Sequence, residues 1–275
     1  MNLLGRKLKY ENMNMKHPYH LVDVSPWPLL VSFSILSFAI NIINWIKNQE
    51  LAITLVFSLI LIIFIGYLWW RDIIREGRKG DHTKKVQKGL LLGFILFVIS
   101  EIMLFFSFFW TFFHSSLAPA IDLGHLWPPL GINAMNYLSL PLLGTCILLA
   151  SGFILTLSHE SIIYGNKDNK DNTIRHLILT ILLGSLFLLL QLTEYNYGEF
   201  NFSDSVYGSI FYITTGLHGL HVLVGVIFLL VGLIRIYLDN FTSEHHLGFE
   251  FAIYYWHFVD IVWLFVFVSY YWWGS

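Results

Sequence analysis

Charged residues and cysteine are both scarce in this sequence of 275 residues. Charged residues make up 12% of it, against roughly 25% in soluble domains. The net charge of −2 is too small to indicate nucleic acid or another strongly charged partner. The single cysteine, Cys146, excludes disulfides and cysteine-ligated metal sites within the chain. With a mean hydropathy of +0.64, these absences indicate a polytopic helical membrane protein.

Several familiar signals are also missing. The first 25 residues contain no apolar stretch typical of a cleavable secretory signal. Internal repeats and low-complexity segments are absent, as are a nucleotide-binding glycine motif, a nucleophile elbow and an HExxH motif. No local motif therefore predicts a catalytic centre in this chain.

Seven apolar runs are long enough to cross a bilayer core of ~30 Å as helices. They cover about 26–46, 51–70, 89–113, 137–158, 174–195, 206–236 and 249–272. We therefore predict an all-α polytopic fold in four parts: an N-terminal segment at 1–25, a two-helix hairpin at 26–70, a basic linker at 71–88 and a five-helix bundle at 89–275.

The distribution of basic residues predicts the orientation of these spans. Seven spans place 15 of the 16 Lys and Arg residues on the side of the N-terminus and Lys47 alone on the other side. Because loops rich in Lys and Arg stay inside, the chain is expected to have its N-terminus inside and its C-terminus outside.

Glu101 is the most unusual residue of the third span, because it is the only ionisable group between residues 89 and 113. A charge at mid-membrane costs at least ~2.5–3.5 kcal/mol, so the carboxyl must be protonated, paired or beside a polar cavity. Two interpretations stay open: a neutral carboxyl bonded to a neighbouring helix, or a residue that lines an internal cleft. The same helix carries a stripe of small or polar residues that predicts a close helix-packing face: Gly89, Gly93, Ser100, Ser107, Thr111 and His114.

Four further polar residues lie at a similar depth in the last two spans. His218 and His221 share one face of the sixth span, and His257 and Asp260 share one face of the seventh. With Glu101 they could form one buried polar layer. The pattern favours hydrogen bonds between helices over a metal site, because the Glu-x-x-His repeats of di-metal bundles are absent.

The basic linker allows two interpretations as well. Its seven Lys and Arg residues fit the ordinary excess of positive charge on the inner side. Alternatively, basic groups below a gap between helices form a pocket for lipid headgroups, to which Arg235 at the inner end of the sixth span could contribute.

Several longer motifs resemble subunit III of mitochondrial cytochrome c oxidase. They include "HPYHLVDVSPWP", "WWRDIIREG", "VQKGL", "ISEIMLFFSFFW", "HSSLAP", "VYGSIFYITTGLHGLHV" and "EHHLGFEFAIYYWHFVDIVWLFVFVSYYWWGS". The resemblance covers residues 17–275 and assigns nothing to residues 1–16.

This resemblance implies a hairpin and a bundle separated by a cleft that holds structural phospholipids. Glu101 matches the family's membrane glutamate at the cleft wall, and four residues match headgroup-contacting positions: Arg75, Glu76, His82 and Arg235. The chain itself would hold no haem and no copper, because haem a and copper belong to partner subunits of the proton-pumping oxidase. It would support the proton uptake and oxygen reduction of those partners.

The family also implies partners and a location. The main contact would be subunit I, with subunit II and small accessory subunits nearby and a respiratory supercomplex as a further assembly. The chain would lie in the mitochondrial inner membrane, with its N-terminus in the matrix and its C-terminus in the intermembrane space. Two alternatives remain at this point: the equivalent subunit of a quinol oxidase, and an autonomous transporter or membrane metalloenzyme built on the polar layer.

Overall fold

A computed structural model describes residues 19–48, 52–164, 167–243 and 245–275. Most of the predicted N-terminal segment and part of the first interhelical turn lie outside these residues. Seven long helices follow one another within the described ranges, and no strand occurs there. The helices are α1 (Trp27–Asn48), α2 (Ala52–Lys79), α3 (Lys84–Leu117), α4 (Leu140–Ile163), α5 (Lys167–Tyr197), α6 (Ser205–Tyr237) and α7 (Leu247–Val266), the last continued by a π-helical segment (Phe267–Trp273).

All seven helices are long and apolar enough to cross a membrane, so the predicted all-α, seven-span fold is confirmed. The helix ends differ from the predicted span ends. α2 continues past residue 70 to Lys79, and α3 already begins at Lys84. Lys and Arg are good helix formers whose long stems carry the charge into the aqueous layer, so a helix need not stop where the membrane does. Gly80, at φ 91°, ends α2 in the left-handed conformation that glycine adopts without steric cost.

The chain divides into two compact units, Met1–Leu90 and Leu91–Ser275. In the first unit α1 packs along α2. The indole Nε1 of Trp27 donates a 2.7 Å hydrogen bond to the carboxylate of Asp72, and that carboxylate also pairs with Arg71 at 3.0 Å and Arg75 at 3.4 Å. An apolar groove of about 390 Å³, lined by Trp27 among others, runs between the two helices. The finer division into hairpin, linker and bundle stays a prediction.

The core of the second unit lies among α4 to α7. α4 packs against α5 and α7, and α6 packs against α5 and α7. The fully buried side chains of Trp256 and Trp263 extend from α7 into this core, where their indole nitrogens donate to Ser151 at 3.0 Å and Thr145 at 2.9 Å, both on α4. Small residues on α4 leave room for the two indoles, and α7 is the most buried of the seven described helices.

Candidate functional site: the buried polar groups of the bundle

Glu101, at the middle of α3, contacts His221 of α6. The distance between Oε2 of Glu101 and Nε2 of His221 is 2.8 Å. The other ring nitrogen, Nδ1 of His221, lies 2.8 Å from the carbonyl oxygen of Leu217 on its own helix. Both nitrogens of this histidine are therefore engaged.

The hydrogen-bond pattern explains how the bundle accommodates a carboxyl group at this depth. The Leu217 carbonyl can only accept, so Nδ1 of His221 must carry a hydrogen. The 2.8 Å contact with Glu101 then contains one proton, either on the carboxyl or on the imidazole. Both arrangements have zero net charge, which avoids an unpaired ion in the membrane. Phe105 packs edge-on against the imidazole, with ring centroids 5.0 Å apart, and shields the pair.

His218 does not join this pair, although it lies only one turn away. Its ring is fully buried between Phe187 and Trp263, and Nε2 lies 3.2 Å from the carbonyl oxygen of Val259. Nδ1 is buried and has no hydrogen-bond partner among the described residues. This histidine therefore faces α5 and α7, whereas His221 faces α3.

His257 and Asp260 form a third, separate group on the α4 side of α7. Nδ1 of His257 lies 3.9 Å from Oδ2 of Asp260, which is too far for a hydrogen bond. The carboxyl of Asp260 packs directly onto the backbone of α4 at Gly152, where a Cβ atom would come within 2.5 Å of it. Only glycine allows this approach.

The predicted polar layer thus separates into one bonded pair, one buried histidine and one loosely spaced His/Asp group. Within the described ranges, no three of these five residues bring ligand atoms within 4.8 Å of one another. Each of the three groups instead contacts a neighbouring helix: Glu101–His221 joins α3 to α6, His218 contacts α7, and Asp260 contacts α4.

Three of the residues assigned to headgroup contact lie in the first unit. Arg75 pairs with Asp72, and Glu76 lies 4.0 Å from Nε2 of His82, whose ring packs on His20 with centroids 5.4 Å apart. These residues therefore form a continuous polar surface at the end of α2.

The fourth, Arg235, lies in the second unit. Its guanidinium stacks over the ring of Phe241 at 4.0 Å and contacts the backbone of Gly248. Burial, and to a smaller degree the Arg235 charge, lower the pKa of His245 in the adjacent loop. Arg235 therefore disfavours a second positive charge on His245 in this loop.

A buried polar network near the end of α5 was not among the sites that the sequence predicted. The side chain of Glu194 is buried, and Nε2 of Gln191 lies 3.3 Å from its Oε2 and 3.4 Å from the hydroxyl of Tyr271. The spacing of Gln191 and Glu194, three residues apart inside an apolar span, was the signal that could have revealed it. The network ties α5 to the π-helical end of α7.

The stripe of small residues on α3 is exposed over most of its length. Gly93, Ser100, Ser107 and Thr111 are all exposed, and a Cβ added at Gly93 would meet no atom within 4 Å. The three hydroxyls bond to carbonyl oxygens of their own helix at 2.6–2.8 Å, so none is left without a partner in an apolar environment. This face is suited to close approach by another helix.

Comparison with known proteins identifies the family. The profile described as Cytochrome c oxidase subunit III matches residues 17–275. Similar proteins named cytochrome c oxidase subunit 3 come from Tachyglossus aculeatus aculeatus, with 51% identity over 94% of this chain and 98% of the relative, and from Allomyces macrogynus, with 53% identity over 94% of both. A third, from Heterololigo bleekeri, is 47% identical over 95% of this chain and all of the relative. The chain therefore belongs to the cytochrome c oxidase subunit III family.

Proposed function

We propose that this chain is the non-redox subunit III of a cytochrome c oxidase, which stabilises subunit I and supports its proton uptake and oxygen reduction. The observation that carries the proposal is the pairing of Glu101 with His221 at mid-membrane. Both nitrogens of His221 are occupied by Glu101 and by the Leu217 carbonyl. A pair bonded in this way holds α3 to α6, and the catalytic metals would belong to the partner subunits.

The names of the similar proteins favour the cytochrome c oxidase over its quinol-oxidising counterpart. The chain would thus take part in an enzyme, the proton-pumping oxidase, without a catalytic centre of its own. We place it in the mitochondrial inner membrane with its basic side and N-terminus in the matrix and its C-terminus in the intermembrane space. The excess of Lys and Arg on one side of the seven helices supports this orientation.

The exposed stripe on α3 supports a contact with subunit I. A face of glycine, serine and threonine permits close helix approach, and no residue that the structure describes within the unit Leu91–Ser275 covers it. Subunit II, small accessory subunits and a respiratory supercomplex are further partners in this proposal.

Thr111→Leu is expected to weaken retention of subunit I, because the larger side chain holds the partner helix away from α3. Thr193→Leu is the matched control. Thr193 is also exposed near the same end of its helix, and its hydroxyl also bonds to its own backbone, at 2.7 Å. The measurement is the amount of subunit I that co-purifies with a tag on this chain as the detergent concentration is increased. Equal retention of subunit I by the two variants would contradict the proposal that α3 contacts subunit I.

Bound phospholipid is the second part of the proposal. Arg75, Glu76, His82 and Arg235 would contact headgroups, and Glu101 would border the cleft. The apolar groove between α1 and α2 supports it, because Trp27 lines the groove and also bonds to Asp72, the partner of Arg75. A groove for acyl chains thus lies beside a cluster of charged groups suited to a headgroup.

Arg75→Ala is expected to weaken phospholipid retention about fivefold, the equivalent of about 1 kcal/mol for one basic residue near an anionic headgroup. Lys47→Ala is the control, since it removes the same charge from the opposite end of the same hairpin. The measurement is phosphorus per haem in the purified complex. Glu101→Leu should lower it as well, and unchanged lipid in both Arg75→Ala and Glu101→Leu would contradict the cleft assignment.

A further inference from the structure

A second polar cluster lies away from the mid-membrane groups, at the end of the bundle where α4 finishes and α7 begins. It consists of His159 in the last turns of α4, His246 directly before α7, and Glu250 in the first turn of α7. Each offers one ligand atom, and the three atoms lie within 4.8 Å of one another. Residues that are distant in sequence thus converge on one point.

The orientation of His246 is fixed by its other ring nitrogen. Nδ1 lies 3.0 Å from the carbonyl oxygen of Thr242, which can only accept, so this nitrogen carries a hydrogen. In the neutral ring, Nε2 then presents a lone pair, 3.3 Å from Oε1 of Glu250. Two acceptors at this distance need either a proton or a metal cation between them. A backbone carbonyl that orients a histidine in this way is the usual support of a metal ligand.

His159 supports a ligand at this point independently of the contact between His246 and Glu250. Its Nε2 is buried and makes no hydrogen bond to any residue that the structure describes. Leaving such a group without a partner is unfavourable. The ring packs edge-on against His246, with centroids 5.5 Å apart, and against Phe249 at 6.4 Å, so the imidazole is held beside the other two groups.

We propose that His159, His246 and Glu250 bind a divalent cation of the Zn²⁺ class. Two imidazoles and one carboxylate form a known zinc ligand set, with water in the fourth position. A tetrahedral ion with ligands at about 2.0–2.2 Å places them about 3.3–3.6 Å apart. The 3.3 Å between His246 and Glu250 meets this spacing, and the ligand atom of His159 lies within 4.8 Å of both. The ion ties the end of α4 to the start of α7.

This proposal revises the expectation that the chain binds no metal, and it concerns an ion without redox chemistry. The site is separate from Glu101 and His221. The competing arrangement is a proton on His246 in place of the ion, which would join the same histidine and carboxylate but leave Nε2 of His159 without a partner.

The test is zinc binding to the intact complex, isolated through a tag on this chain and freed of loosely held metal with a chelator. The complex is dialysed against Zn²⁺ alone, and bound zinc per chain is measured for wild type, His159→Gln and Glu250→Gln. Glu160→Gln is the matched control. It makes the same isosteric change next to His159, at an exposed carboxylate outside the cluster.

Wild type and Glu160→Gln are expected to bind one more zinc per chain than the two ligand variants, or to bind it at least tenfold more tightly. Equal zinc in all four proteins would overturn the proposal. If a ligand variant does not assemble, X-ray absorption of the wild-type complex with and without added zinc decides. A difference spectrum with imidazole nitrogen neighbours supports the site, and a spectrum without them contradicts it.

Discussion

Gly184→Ala is expected to lower the free energy of unfolding of the bundle by about 1–3 kcal/mol, the usual cost of adding a methyl group to a closely packed core. Gly184 lies on α5, against the fully buried indole of Trp256. An added Cβ would fall 2.9 Å from Cζ2 of Trp256 and 3.1 Å from Cγ2 of Val226. The indole cannot move away, because Gly225 of α6 packs on its other ring atoms, where a Cβ would come within 2.9 Å.

Gly219→Ala is the control for this prediction. Gly219 is also a helical glycine of the bundle, but a Cβ there meets no atom within 4 Å. Because alanine favours the helix more than glycine does, this change should be neutral or slightly stabilising. The amount of the chain in the membrane and its thermal unfolding midpoint measure both effects. Equal behaviour of the two variants would contradict the tight packing around Trp256.

Glu101→Leu is expected to destabilise the chain by about 1–3 kcal/mol, because it leaves Nε2 of His221 buried without a partner. Glu101→Gln should cost less, since the amide can donate to the same nitrogen and keep the 2.8 Å contact. His221→Phe should also destabilise, because it leaves the carboxyl unpaired while keeping an aromatic ring beside Phe105.

The double variant, Glu101→Leu with His221→Phe, separates the pair from its two members. Because neither partner is then left unsatisfied, its cost should fall below the sum of the single variants by about 0.6–2 kcal/mol. Denaturant unfolding of the purified complex measures all four proteins. Additive effects would mean that Glu101 and His221 act independently, against the bond between them.

The sequence predicts the fold well because each span must be apolar for about 20 residues, and this requirement is local. The ends are less predictable. α2 and α3 extend through Arg71–Lys79 and Lys84–Lys88 as charged helical turns, and hydropathy marks only where the membrane ends. The turn between these helices is correspondingly short.

The sequence predicts how deep Glu101 and the histidines of α6 lie in the membrane, but it does not predict which of them contact each other. The sequence predicts a similar depth for Glu101, His218 and His221, and the structure joins Glu101 to His221 alone. Which histidine meets Glu101 depends on the rotation of α6 about its axis, and in the rotation observed His218 packs on Trp263 and contacts the carbonyl oxygen of Val259.

The proposed zinc site of His159, His246 and Glu250 is still harder to predict from the sequence. His246 and Glu250 are four residues apart and visible in the sequence as neighbours on one turn. His159 precedes them by two whole helices, and only the folded bundle brings its ring beside theirs. Local spacing therefore reveals two ligand positions but not the third.

The most direct test of the proposed function is the distribution of haem and copper after this chain is separated from its partners. The complex is isolated through a tag on this chain, the chain is then released with detergent, and haem a, copper and phospholipid are measured in each fraction. We predict that haem and copper stay with the partner subunits while tightly bound phospholipid leaves with this chain. Haem or copper in stoichiometric amount with this chain would contradict the account and make the buried histidines a cofactor site.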